Sequence, residues 1–171
     1  TSAVKNDEWR RAWRLEFEDG NNLAAAAIYE KLADAGPDAC DAVMAAARCY
    51  SKAGWPDKAA VITGRIAWPD LSAHGYEPSP EQVVRSRIML VDMQLLIRKD
   101  EPAGIIRRAL ASIGQDSETE GCSTDVHVWA LERLANIGSD LGDALKDEIV
   151  KARDTLASEM LSMETAERYP S

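Results

Sequence analysis

The sequence predicts an all-α fold, an α-solenoid of about eight helices stacked as antiparallel pairs in one domain over residues 1–171. Three observations predict it. Alanine and leucine are abundant while Phe17 is the sole phenylalanine, and no window alternates β-branched and aromatic residues with polar ones as a strand requires. Apolar residues instead recur at helical spacing between glycine and proline breaks. The chain also repeats itself at a step of 34. Gly54 follows Gly20, Ala59 follows Ala25, Ile62 follows Ile28 and Ile66 follows Leu32 at that interval. A step of this size marks stacked supersecondary units, each burying the apolar face that its neighbour leaves open.

The first helix is predicted over about 6–18, with Trp9, Trp13 and Phe17 at i, i+4 and i+8, and Gly20 supplies the left-handed turn that ends it. The second runs over about 22–35 and stops at Gly36-Pro37. Asp38 is placed to cap the third, about 39–53, whose face carries Val43, Ala46, Ala47 and Tyr50. Gly54 ends it, and Pro56 opens the fourth at the position where its missing N–H costs nothing. That helix reaches about Ala67. The run of alanines at 24–27 and its partner Ala59 read as a seam where paired helices approach closely.

A longer connection with three prolines, 68–80, breaks the pattern. Ser79-Pro80-Glu81 then opens the fifth helix, about 80–99. Its stripe of Val84, Ile88, Val91 and Leu95, widened by Met89, Met93 and Leu96, predicts burial on more than one side. Pro102 opens the sixth, about 102–113, with Ile106, Ala109, Leu110 and Ile113 inward. A polar loop follows. The seventh, about 124–137, carries Val128, Leu131, Leu134 and Ala135, and Gly138 ends it. The eighth, about 140–167, bears a narrow stripe of Leu141, Leu145, Ile149, Ala152, Leu156, Met160 and Met163 beside a charged face, as a capping or connecting helix would. The units are therefore 6–37, 38–67, a divergent 80–113, and a final pair over 124–167.

With 29 acidic and 20 basic residues the net charge is −9, which disfavours nucleic acid and anionic membrane surfaces as partners. No basic run is longer than two residues, as at Arg107-Arg108. No apolar stretch is long enough to span a bilayer, so no direct membrane insertion is expected of this segment. Three cysteines, Cys40, Cys49 and Cys122, cannot form a closed disulfide set. Cys40 and Cys49 on one helix are separated by a rise of roughly 13 Å, beyond disulfide reach. They read as packed thiols, with a Cys122 bridge left open. The chain begins Thr-Ser, which reads as a processed product or an excised piece.

The residues of the first two units resemble the tetratricopeptide repeat. In the first unit the matching positions are Trp9, Ala12, Trp13 and Glu16, then Ala25 and Tyr29, then Pro37. In the second they are Val43, Ala46, Ala47 and Tyr50, then Ala59 and Thr63. Trp13 stands where a small residue is usual, and Glu16 where an aromatic is usual. The resemblance covers 6–67 well and loosens beyond 80. It implies a right-handed superhelix whose groove is lined by the first helix of each pair. The runs EFEDGNNLAAAAIYEKLA and AARCYSKAGWPDKAAVITGRIA also resemble helical-repeat segments ahead of the transmembrane helix in bacterial sensor histidine kinases. That resemblance implies an extracytoplasmic sensing region, with a kinase domain elsewhere in a longer chain.

Catalytic constellations are lacking. His74 and His127 have no partner at metal spacing and read as solvent-exposed or capping. There is no phosphate loop and no nucleophile elbow. Glu16, Glu18 and Asp19 read as a solvated helix end. No enzyme activity, metal or cofactor is expected of this segment. By register the groove would present Arg10, Arg14 and Phe17, then Met44, Arg48 and Ser51, then Arg87 and Gln94. Arginines there would receive the carboxylates of an acidic protein or peptide segment, unless they pair with the chain's own acids. Trp55 and Trp68 are either partner anchors or folded back on helix ends. The expected function is a protein-interaction module in the extracytoplasmic part of a bacterial signalling protein. The alternative is a freestanding cytoplasmic scaffold or assembly adaptor.

Overall fold

A computed structural model describes residues 2–34, 36–113 and 118–169. Its helices are α1 (Ser2–Phe17), α2 (Asn22–Leu32), α3 (Ala39–Lys52), α4 (Pro56–Ala67), the single turn α5 (Leu71–His74), α6 (Pro80–Ile97), α7 (Pro102–Ser112), α8 (Thr124–Gly138) and α9 (Asp143–Arg168). Among the described residues there is no strand. The protein is all-helical, and successive long helices pack as adjacent pairs. Part of the polar loop, residues 114–117, lies outside the described residues, as does the Met160 side chain of the last stripe.

Local chemistry sets the helix ends. The Asn21 side chain accepts the N–H of Ala24 at 3.2 Å and so caps α2. Ser79 and Gln82 form a reciprocal capping box at α6. Asp38, by contrast, makes no side-chain cap at α3, contrary to the expectation. Gly138 is the last residue of α8, as expected, and keeps a right-handed conformation there, φ −77°. A Cβ there would sit 3.3 Å from Ile149 Cδ1, so its missing side chain lets α8 and α9 close together. The left-handed turn falls at Gly142, φ 124°, and α9 accordingly starts at Asp143, leaving Leu141 in a short 3-10 turn.

Two apolar clusters fill the stack. One gathers α1–α4 around Tyr29, Val43, Ile62 and Ile66. The other gathers α6–α9 around Ile88, Ile106, Leu134 and Ile149. α6 serves both, sending Met93 into the first and Val84, Ile88 and Val91 into the second, and its contact with α4 is the most extensive between any two helices. The wide stripe read from its sequence is thus used on two sides.

Polar contacts between stacked helices reveal a second register. Glu16 meets Arg48 and Lys52, 32 and 36 residues on, close to the 34-residue step. Farther along, Asp41 meets Gln82, Met44 meets Ser86, Asp92 meets Arg133 and Arg107 meets Glu148, all at separations of 41 or 42. The later units are longer, and the connections around α5 and between α7 and α8 hold the added length.

Candidate functional site

The face shared by α1, α3 and α6 is organised around Glu16. This residue is 4% exposed, although the sequence placed it at a solvated helix end. Its Oε1 accepts Arg48 Nε at 2.6 Å and its Oε2 accepts Arg48 Nη2 at 2.7 Å, the fork geometry that guanidinium and carboxylate share. Lys52 Nζ donates to Oε1 at 2.8 Å, and Tyr29 Oη donates to Oε2 at 3.3 Å. Burial alone would raise the carboxyl's pKa. The hydrogen bonds and charges of Arg48 and Lys52 outweigh it and hold the group down at about 2. The buried negative charge acts in turn on its neighbours. Burial first, and then Glu16, push Tyr29 and Cys49 up to about 12.

Aromatic surface flanks this cluster. Trp13 and Phe17 are about half exposed, and their ring centroids lie 5.2 Å apart. Lys52 Nζ stands 4.5 Å from the Phe17 ring centre and the Arg48 guanidinium carbon 5.6 Å from it. Arg48, Ser51 and Lys52 then line one wall of a hollow of about 170 Å³, with Met89 and the exposed Leu96 of α6 opposite. Asp92, at the same hollow, is engaged by Arg133 of α8 at 3.3 Å. Arg48 and Lys52 together oppose the single charge of Glu16, so two cations against one carboxylate leave one net positive charge at this mouth.

The predicted groove residues separate into groups. Phe17, Arg48 and Ser51 share this face. Arg10 lies on exposed α1 surface with Asp7 at 3.7 Å, and Arg14 is exposed and makes no ion pair among the described residues. Met44 is half-buried and receives a hydrogen bond from Ser86 Oγ at 3.0 Å. Arg87 is a correction: it is 2% exposed, donates to the carbonyls of Ala67 and Ser112 at 2.9 Å each, and stands 4.0 Å from the ring centre of Trp68. Packing of α6 against the end of α4 closes over it, so it joins chain segments rather than facing a groove. Gln94 lines a separate hollow of about 280 Å³ beside Arg87 and Trp68.

Lys52 escaped the sequence reading, and Leu96, read as part of the buried stripe of α6, is instead exposed. The one signal for Lys52 was its place one turn beyond Arg48, 36 residues after Glu16. Trp55 stacks on Tyr50 with ring centroids 6.2 Å apart, and with Trp68 against Arg87 both loop tryptophans lean on their own chain. The three cysteines are free thiols. His74 stacks on Tyr76. His127 is half-buried, contrary to the exposed or capping role expected of it. Among the described residues no His, Cys, Asp and Glu gather as a metal-binding group, and no helix is long and apolar enough to cross a membrane. No family model, curated protein or solved structure gives a significant match to the chain.

Proposed function

We propose that this chain is a non-catalytic interaction module of tetratricopeptide character whose α1–α3–α6 face docks an acidic protein segment. The observation that carries the reading is the arrangement of Lys52 and Arg48 around one buried carboxylate. Both cations remain about two-fifths exposed, carry one positive charge in excess, and stand beside the open ring of Phe17, which pairs with Trp13. Charge would steer an acidic segment to this mouth, and aromatic area would hold it.

The test uses acidic peptides carrying one aromatic residue, titrated against the protein and followed by tryptophan fluorescence. Phe17→Ala and Lys52→Gln should each weaken binding about tenfold or more, with the helical signal intact. Arg48 is a poor first target, because losing it strands Glu16. Equal binding of a basic peptide of the same length, or unchanged binding in both variants, would sink the reading.

The sharper form places the module outside the membrane, as the sensing region of a bacterial signalling protein such as a histidine kinase. The exposed second half of α9, with Leu161 and Met163 in solvent, supports it as a helix able to relay movement. A freestanding scaffold is the competing arrangement. Peptide mapping of the native protein separates them: apolar spans beside this segment favour the sensor, and polar flanks favour the scaffold.

A further inference from the structure

α7 and α9 both pack on α8, and between them lies a cleft of about 770 Å³. That volume lies within the range of small-molecule sites, roughly 300–1,000 Å³. At one end the cleft is clasped by Arg107 and Glu148, the guanidinium donating two hydrogen bonds of 3.1 Å to the carboxylate. Leu110, Leu131, Ala152 and Leu156 form apolar walls. At the other end are His127, Thr155 and Glu159. Thr155 and Glu159 stand one turn apart on α9, and His127 lines the same cleft from α8. Gly138 of α8 abuts Leu145 and Ile149 of α9, so a position 11 residues earlier on α8 lies opposite one about 11 later on α9.

The polar groups at this end share one property. His127 Nε2 is buried without a hydrogen-bond partner. A buried polar atom left alone is unfavourable, and a bound donor would offset that cost. Burial favours the neutral imidazole, so this nitrogen can act as an acceptor. Thr155 Oγ1 donates its proton to the Lys151 carbonyl at 2.9 Å and is left as an acceptor. Glu159 is exposed and makes no ion pair among the described residues. With Arg107 balanced by Glu148, the cleft carries one net negative charge.

We infer that this cleft binds a small organic amine, its ammonium group donating to His127 Nε2, Thr155 Oγ1 and the Glu159 carboxylate and its apolar body lying along Leu131 and Leu110. An ammonium offers three donors and no acceptor, which matches a site of acceptors. A carboxylate would meet Glu159 with like charge. The cleft lies in the α7–α9 end of the stack, apart from the face proposed to dock a protein segment, so either assignment can fail alone.

The test is calorimetric titration of the protein with n-octylamine, with n-octanoate and n-octanol as controls of equal chain length. The expected result is saturable one-to-one binding of the amine, with both controls at least about tenfold weaker. Glu159→Gln should weaken the amine about tenfold and leave octanol unchanged. Ala152→Phe, which fills the cleft from an exposed helix, should abolish binding while circular dichroism stays native. Absence of saturable amine binding overturns the inference. So does octanoate binding as tightly as the amine, or undiminished binding in a folded Ala152→Phe variant.

Discussion

The Glu16 carboxylate and the Arg48 guanidinium, 32 residues apart in sequence, meet through two hydrogen bonds of 2.6 and 2.7 Å. The acid is buried and the base about two-fifths exposed. This asymmetry decides what each contributes. Glu16 has left water and needs its partners, while Arg48 and Lys52 keep part of their hydration. The cluster therefore ties α1 to α3 and still presents positive charge at the surface.

Removing the base should thus cost more than removing the acid. Arg48→Met leaves a buried carboxylate supported only by Lys52 and Tyr29, and should destabilise the fold by about 2–4 kcal/mol. Glu16→Gln keeps the shape and leaves two cations that can turn to solvent, and should cost about 1–2 kcal/mol. Urea unfolding of both variants checks the order. A larger loss in Glu16→Gln would mean that the carboxylate is not buried as described.

The same pair sets an acid limb of stability. Glu16 ionises at about 2 in the folded chain, below its ordinary 4.5. A depressed carboxylate stabilises the fold above its unfolded pKa, and that stabilisation is lost as pH falls through the folded value. Stability should therefore decline between about pH 4.5 and pH 2, by about 2 kcal/mol once screening of the half-exposed cations is allowed for. Glu16→Gln should flatten this part of the profile. Chemical denaturation at several pH values reads the difference.

Arg87 should behave as a structural fastener. Its guanidinium satisfies the Ala67 and Ser112 carbonyls and lies against Trp68. Arg87→Met would leave these acceptors to water or unpaired, at a cost of about 2–4 kcal/mol. Trp68 emission should shift, while affinity of the α1–α3–α6 face for acidic peptides stays unchanged. A loss of peptide affinity without loss of stability would restore Arg87 to the groove.

The helices were legible because their signals are local. Gly20, Gly54, Pro56 and the Ser79-Pro80 pair mark ends through backbone geometry that sequence displays directly. Glu16 was only partly legible: the repeat alignment set it where an aromatic is usual, yet beside Glu18 and Asp19 it resembles any surface acid. Its burial follows from the packing of α1 on α2 and from Arg48 and Lys52 of α3 reaching over it. The 41–42 register was hidden for a related reason: the added length lies in connections, where residues carry little periodic signal. Arg87 occupies a position that reads as polar, and only the path of the chain from α4 into α6 turns it inward.

The alanine run tests whether the seam is a packing device. Ala25 and Ala26 are fully buried, whereas Ala27, on the same helix, is exposed. Ala42, Ala46 and Ala47 are buried on α3, the helix against which α2 packs extensively. A leucine at 25 would have to part these helices or adopt a strained rotamer, a cost of about 1–3 kcal/mol. A leucine at 27 meets solvent and should change stability by less than about 0.5 kcal/mol. Composition and helix propensity change almost identically in the two variants, so a difference in thermal midpoint isolates packing. Equal midpoints for Ala25→Leu and Ala27→Leu would show that the run serves helix propensity alone.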